Sequence, residues 1–76
     1  MQPSANTRLT VAAERADTLH RILLKRRPRR VEDIAGLGEL FSWPRLVIEV
    51  TIGDLCHDGR LEEDARGDLV VRSKAP

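Results

Sequence analysis

The stretch PRLVIEVTIGDLCHDGRL, Pro44 to Leu61, decides the fold. Read as a strand, Leu46, Ile48, Val50 and Ile52 share one face, with Val47, Glu49 and Thr51 on the other. The β-branched composition suits that reading. Read as a helix, Ile48, Ile52, Leu55 and Cys56 recur at i, i+4, i+7 and i+8 and form one apolar stripe. The ends separate the two. Pro44 suits the first turn of a helix, with Ser42 or Trp43 at the cap. Asp58-Gly59 supplies a glycine able to take the left-handed conformation that closes one. The strand reading leaves Asp54 to Asp58 without a role. The helix is therefore the expectation, and every assignment built on this stretch falls if it is a strand.

Upstream, Ala12, Ala16, Leu19, Ile22 and Leu23 lie at three- and four-residue steps and predict an amphipathic helix. Thr10 is its expected cap, Asp17 and Arg21 can pair one turn apart, and Pro28 stops it by moving Arg27 out of the helical region. Arg30-Val31 is expected to be briefly extended. Val31, Ile34, Leu37, Leu40 and Phe41 then have helical spacing, with Gly36 and Gly38 limiting the element to a short helix that ends or bends near Gly38. Downstream, Leu61 and Leu69-Val70-Val71-Arg72 flank a turn around Ala65-Arg66-Gly67 and read as a β-hairpin.

The chain of 76 residues has room for one domain near the lower size limit for a self-sufficient core, so dimerisation or docking is a reasonable expectation. Residues 1–9 are expected to be a disordered N-terminal tail, 10–72 the folded domain and 73–76 a C-terminal tail. One cysteine leaves no internal disulfide framework and fits a reducing compartment. Apolar runs are only a few residues long and no signal-peptide core is present, so a cytoplasmic protein without membrane spans is expected. The net charge of +1 conceals an asymmetry. Residues 1–38 carry eight Lys/Arg against four Asp/Glu, and residues 39–76 carry five against eight. The positive charge is concentrated in KRRPRR, Lys25 to Arg30.

The order helix, extended piece, helix, turn, helix and hairpin, with Asp58-Gly59-Arg60-Leu61 leading from third helix to first wing strand, resembles the winged helix-turn-helix superfamily over residues 10 to 72. The fold class expected is therefore mostly α with a small C-terminal β-hairpin, three helices plus a wing. The GLGELFSWPR connection is longer than the tight turn of the best-studied members. The resemblance implies a third helix that enters the DNA major groove and a wing that touches phosphates. Ile48, Ile52, Leu55 and Leu61 would then face the core, and Arg45, Leu46, Val47, Glu49 and Val50 the DNA. Of these only Arg45 is a base-reading residue, whereas Leu46, Val47 and Val50 form the kind of patch that marks a protein interface.

Two functions follow as expectations. The first is a small DNA-binding regulator, transcriptional or accessory, on double-stranded DNA as a homodimer. It would use Lys25, Arg26, Arg27, Arg29 and Arg30, with Arg45 for base readout and Arg66 at the wing tip. The second is a protein-interaction module docking through Trp43, Leu46, Val47 and Val50 on a larger partner or on itself. The basic run also reads as a solvated helix end that complements the helix dipole, Arg66 as a plain turn residue, and Trp43 as a lid on the core. One Cys and two His do not make a structural zinc site, and Cys56 is expected to be a small core hydrophobe. Glu62, Glu63 and Asp64 read as a solvated turn, and GLG at 36–38 lacks the spacing and lysine of a phosphate loop. No catalytic constellation or cofactor motif is evident, so a non-enzyme is expected.

Overall fold

A computed structural model describes the backbone of residues 4–73 and the side chains of residues 11–73. Helix α1 spans Ser4–Arg26, α2 Val31–Ile34 and α3 Arg45–Asp58, followed by strands β1 (Leu61–Glu63) and β2 (Leu69–Val71). The decisive stretch is a helix. Pro44 is its N-cap with extended backbone, and Gly59 closes it at φ 80°, its N–H donating to the carbonyls of Cys56 and Leu55. The C-terminal end works as the sequence implies, because glycine enters the left-handed region without a Cβ clash. At the N-terminal end the cap is Pro44 itself and not Ser42 or Trp43, so the helix starts one residue later, at Arg45.

Helix α1 begins at Ser4, six residues before the expected cap at Thr10. The tail expected over residues 1–9 is thus helical from residue 4, while residues 1–3 and 74–76 lie outside the described residues. The physical reason is cooperativity: once the turns packed on the core exist, each added residue forms a hydrogen bond without a new nucleus. At the other end, Arg27 takes φ 47° and its N–H donates to Leu23 O at 2.7 Å. Pro28 denies Arg27 the helical region, and the chain turns off through the left-handed one.

The second helix is shorter than its apolar spacing suggests. Helix α2 stops at Ile34, and a separate 3-10 turn covers Gly38–Leu40. Gly36 and Gly38 lower the helical preference between them. Phe41, expected on the apolar stripe, stands 88% exposed as a consequence of that break.

Strands β1 and β2 pair antiparallel with Leu61 opposite Val71 and Glu63 opposite Leu69. Asp64 organises the turn, its Oδ1 accepting the N–H groups of Arg66 at 2.9 Å and Asp68 at 3.0 Å. Gly67, at φ 83°, completes it. The extended piece before α2 docks on the hairpin, with Leu69 N–H donating to Arg29 O at 2.9 Å. Three helices with a C-terminal antiparallel hairpin are compatible with a winged-helix shape.

The core lies where α1, α3 and the hairpin meet. Leu19, Leu23, Ile34, Leu40, Leu55 and Leu61 are fully buried, with Ala16 and Ile48 beside them. Each buried Leu or Ile contributes about 1.5–3 kcal/mol relative to exposure. His20 is also buried, and its Nε2 donates to the carbonyl of Arg72, tying α1 to the end of β2. That bond requires the proton on Nε2. Cys56, expected in the core, is exposed. Thr51 takes the buried place on α3 instead, its hydroxyl donating to Val47 O at 2.7 Å. A hydroxyl returned to the helix backbone is satisfied in an apolar setting, so Thr51 packs there without an orphan polar atom.

Candidate functional site

Two surfaces carry the residues singled out by the sequence. The first is the basic segment after α1. Its placement follows from two contacts to the hairpin: the Arg29 carbonyl receives the Leu69 N–H, and the Arg29 guanidinium approaches the Asp68 carboxylate at 3.6 Å. Arg27, Pro28 and Arg29 thereby line one open hollow with the residues of β2. Arg66 stands exposed at the turn of the same hairpin.

The cations of this edge fall into two groups. Arg26 donates to Glu39 Oε2 at 2.8 Å, and Arg29 is paired with Asp68. The hydrogen bond from Arg26 holds the Glu39 carboxyl below the usual carboxylate range, and the charges of Arg26 and Lys25 assist. Glu39 in turn raises the Arg26 guanidinium further. Lys25, Arg27, Arg30 and Arg66 are exposed and form no ion pair among the described residues. Surface pairs of this kind are each worth about 0.2–1 kcal/mol, so a phosphate could compete for Arg26 and Arg29 only by displacing their carboxylates.

The second surface is the outer face of α3. Leu46 is 69% and Val50 56% exposed, while Val47 is half-buried. Burying Ile48, Thr51 and Leu55 leaves these aliphatic residues on the opposite side of the helix. Together with Ala12 and Arg15 of α1 they line a groove of about 180 Å³ whose far end is Asp54. Arg45, expected from the sequence to read a base, points its guanidinium at Glu49 across one helical turn, at 3.3 Å. Trp43 is half-buried against the core, which matches its reading as a lid.

The two surfaces are well separated along α1. Ala12 lies at the α3 groove and Lys25 at the basic edge, thirteen residues apart, or about 20 Å at the helical rise. The structure therefore brings Arg27 and Arg29 to the hairpin that carries Arg66, with Arg30 next in the chain at the start of α2, and leaves Arg45 with the aliphatic patch.

Several residues were not marked by sequence spacing. Arg60 has a side chain only 18% exposed and bridges Asp17 of α1 at 2.9 Å and Asp58 at 3.0 Å. The hydrogen bond with Asp17 favours its charged form most, desolvation opposes this, and Asp58 adds to it. Asp17 thus pairs across the fold, not with Arg21 on its own helix. Partial desolvation of the otherwise exposed Cys56 thiol pushes it up, with Glu63 adding, so the thiolate that a nucleophile needs is disfavoured. Among the described residues no group of three His, Cys, Asp or Glu side chains is placed to hold a metal ion. No helix among them is long and apolar enough to cross a membrane. A scan against protein-family models and searches of curated proteins and of solved structures found no match to this chain.

Proposed function

We propose that this chain is a small winged-helix protein that binds double-stranded DNA through its basic edge, in a transcriptional or accessory regulatory role. The observation that carries this reading is the docking of the Arg27–Arg30 segment on the hairpin that bears Arg66, with four cations of that edge unpaired. Phosphate neutralisation by such an edge supplies affinity without base readout. Helix α3 contributes little to sequence choice in this mode. Its outer face is aliphatic, and Arg45 would reach a base only by giving up Glu49. The expected result is weak, salt-sensitive binding that discriminates poorly between duplex sequences.

The test is fluorescence anisotropy of a labelled duplex at low and moderate salt, with wild-type protein and with Arg27 and Arg30 replaced by Ala. Loss of binding on substitution supports the reading; absence of wild-type binding at low salt overturns it. A second reading, a protein-docking module, is favoured by the exposure of Leu46 and Val50 on the same helix. In that case the docked state survives removal of the basic edge.

A further inference from the structure

The outward face of α3 contains a residue that the fold itself does not explain. Leu46, Val50, Gly53 and His57 follow at steps of four, three and four, so they form one stripe opposite the buried Ile48, Thr51 and Leu55. All four are exposed. Gly53 lies in the middle of a helix, where glycine is unfavourable relative to alanine. Apart from its own helix backbone and chain neighbours, no atom lies within 4 Å of the position its Cβ would occupy, so no packing inside the protomer requires the missing side chain. A second helix crossing at Gly53 would require it, because close backbone approach is what glycine permits.

The charges flanking the stripe point to what crosses there. Arg15 of α1 and Asp54 of α3 line the same groove, yet neither forms an ion pair among the described residues. In an antiparallel helix pair with two-fold symmetry, like flanks of the two helices meet. Placing Val50 against Gly53 of the second helix puts Leu46 against His57. On the α1 side, Asp54 of the second copy then falls opposite Val47, where Arg15 lines the groove. The two-fold then forms this Arg15–Asp54 pair twice. Glu49 meets the neutral Cys56 on the other flank, so no like charges are opposed.

We infer that the outer face of α3 is a self-association surface. Two copies of this chain pack their α3 helices antiparallel across Gly53, with Arg15 of each reaching Asp54 of the other. The inference goes beyond phosphate binding and does not depend on it. The basic edge lies at the far end of α1 and stays exposed in the pair.

The experiment is sedimentation equilibrium of the whole chain from about 10 μM to about 1 mM, the range in which small interfaces dissociate. Wild-type protein is expected to pass from monomer to dimer. Gly53→Leu leaves the protomer fold intact, because its side chain meets open space, and is expected to weaken association at least tenfold. Arg15→Asp and Asp54→Arg should each weaken it several-fold, and the double exchange should restore it to within about threefold of wild type. Those repulsion and rescue steps distinguish an interchain pair from a merely structural effect. A wild-type chain that stays monomeric across the range overturns the inference, as does a Gly53→Leu protein that dimerises like wild type. A duplex titration of Gly53→Leu separates the two proposals: the variant keeps its basic edge, so loss of association with retained phosphate binding upholds both.

Discussion

The proposed DNA binding carries a salt dependence that can be worked out from the ion-pair pattern of the basic edge. Lys25, Arg27, Arg30 and Arg66 are unpaired among the described residues, whereas Arg26 and Arg29 are held by Glu39 and Asp68. Each phosphate neutralised on duplex DNA contributes about −0.9 to the slope of log affinity against log salt. Four free cations therefore predict a slope of about −3.6, or a loss of about 150-fold in affinity between about 50 and 200 mM salt. Replacing Arg27 and Arg30 with Ala leaves two contacts, a slope of about −1.8 and a loss of about 12-fold over the same range. Replacing Arg26 alone is expected to leave the slope unchanged, since that guanidinium is already engaged by Glu39. If both protomers of a pair engage one duplex, the wild-type slope doubles to about −7.2 and the stoichiometry changes with it. Anisotropy titrations at four or more salt concentrations, with circular dichroism to confirm folding, give these slopes directly. A slope insensitive to Arg27→Ala with Arg30→Ala refutes the assignment of the edge. A slope that falls by about 0.9 on Arg26→Ala refutes the claim that Glu39 withholds it.

The remaining expectations concern stability. Gly59→Ala forces a Cβ into the left-handed region at φ 80° and should cost about 1–2 kcal/mol, lowering the thermal midpoint of a domain this size by about 4–16 °C. An unchanged midpoint would show that the α3 cap does not constrain the fold. Arg60→Ala removes the link between α1 and the end of α3, but its partners Asp17 and Asp58 are largely exposed, which limits the loss to about 1 kcal/mol. A double-mutant cycle with Asp17→Asn in urea should return a coupling of that size, and a coupling near zero would remove the pair from the account. For Glu39, the folded carboxyl titrates below its unfolded value of about 4.3, so its contribution is complete above that pH. It is lost as the pH falls through the lower folded value. Wild type should accordingly be more stable than Glu39→Gln at neutral pH, with the difference vanishing in strong acid; a difference that grows on acidification would contradict the sign.

The reading of the α3 surfaces depends on periodicity, which is a local property. The spacing of Ile48, Ile52 and Leu55 placed one face inward, and the same geometry left Leu46 and Val50 outside. Placement of Cys56 failed because it sits at the margin of that stripe, where a small rotation of the helix decides exposure. Phe41 failed for a different reason. Its helical spacing was genuine in the sequence, but the chain breaks between α2 and the 3-10 turn, and the register is lost across the break. The start of α1 was misplaced because a long helix extends past its cap signals once its later turns are anchored.

By itself the sequence determined the order of elements, the helical identity of α3 and its close at Gly59, the hairpin and the inward face of α1. These depend on backbone constraints and on periods of two and 3.6, which are written within a few consecutive residues. Only the tertiary structure decided which cations are free. Arg26 meets Glu39, Arg29 meets Asp68 and Arg60 meets Asp17 across thirteen or more residues of chain, and His20 reaches the carbonyl of Arg72. Charge pairing of that kind depends on distance in space, and no local pattern encodes it.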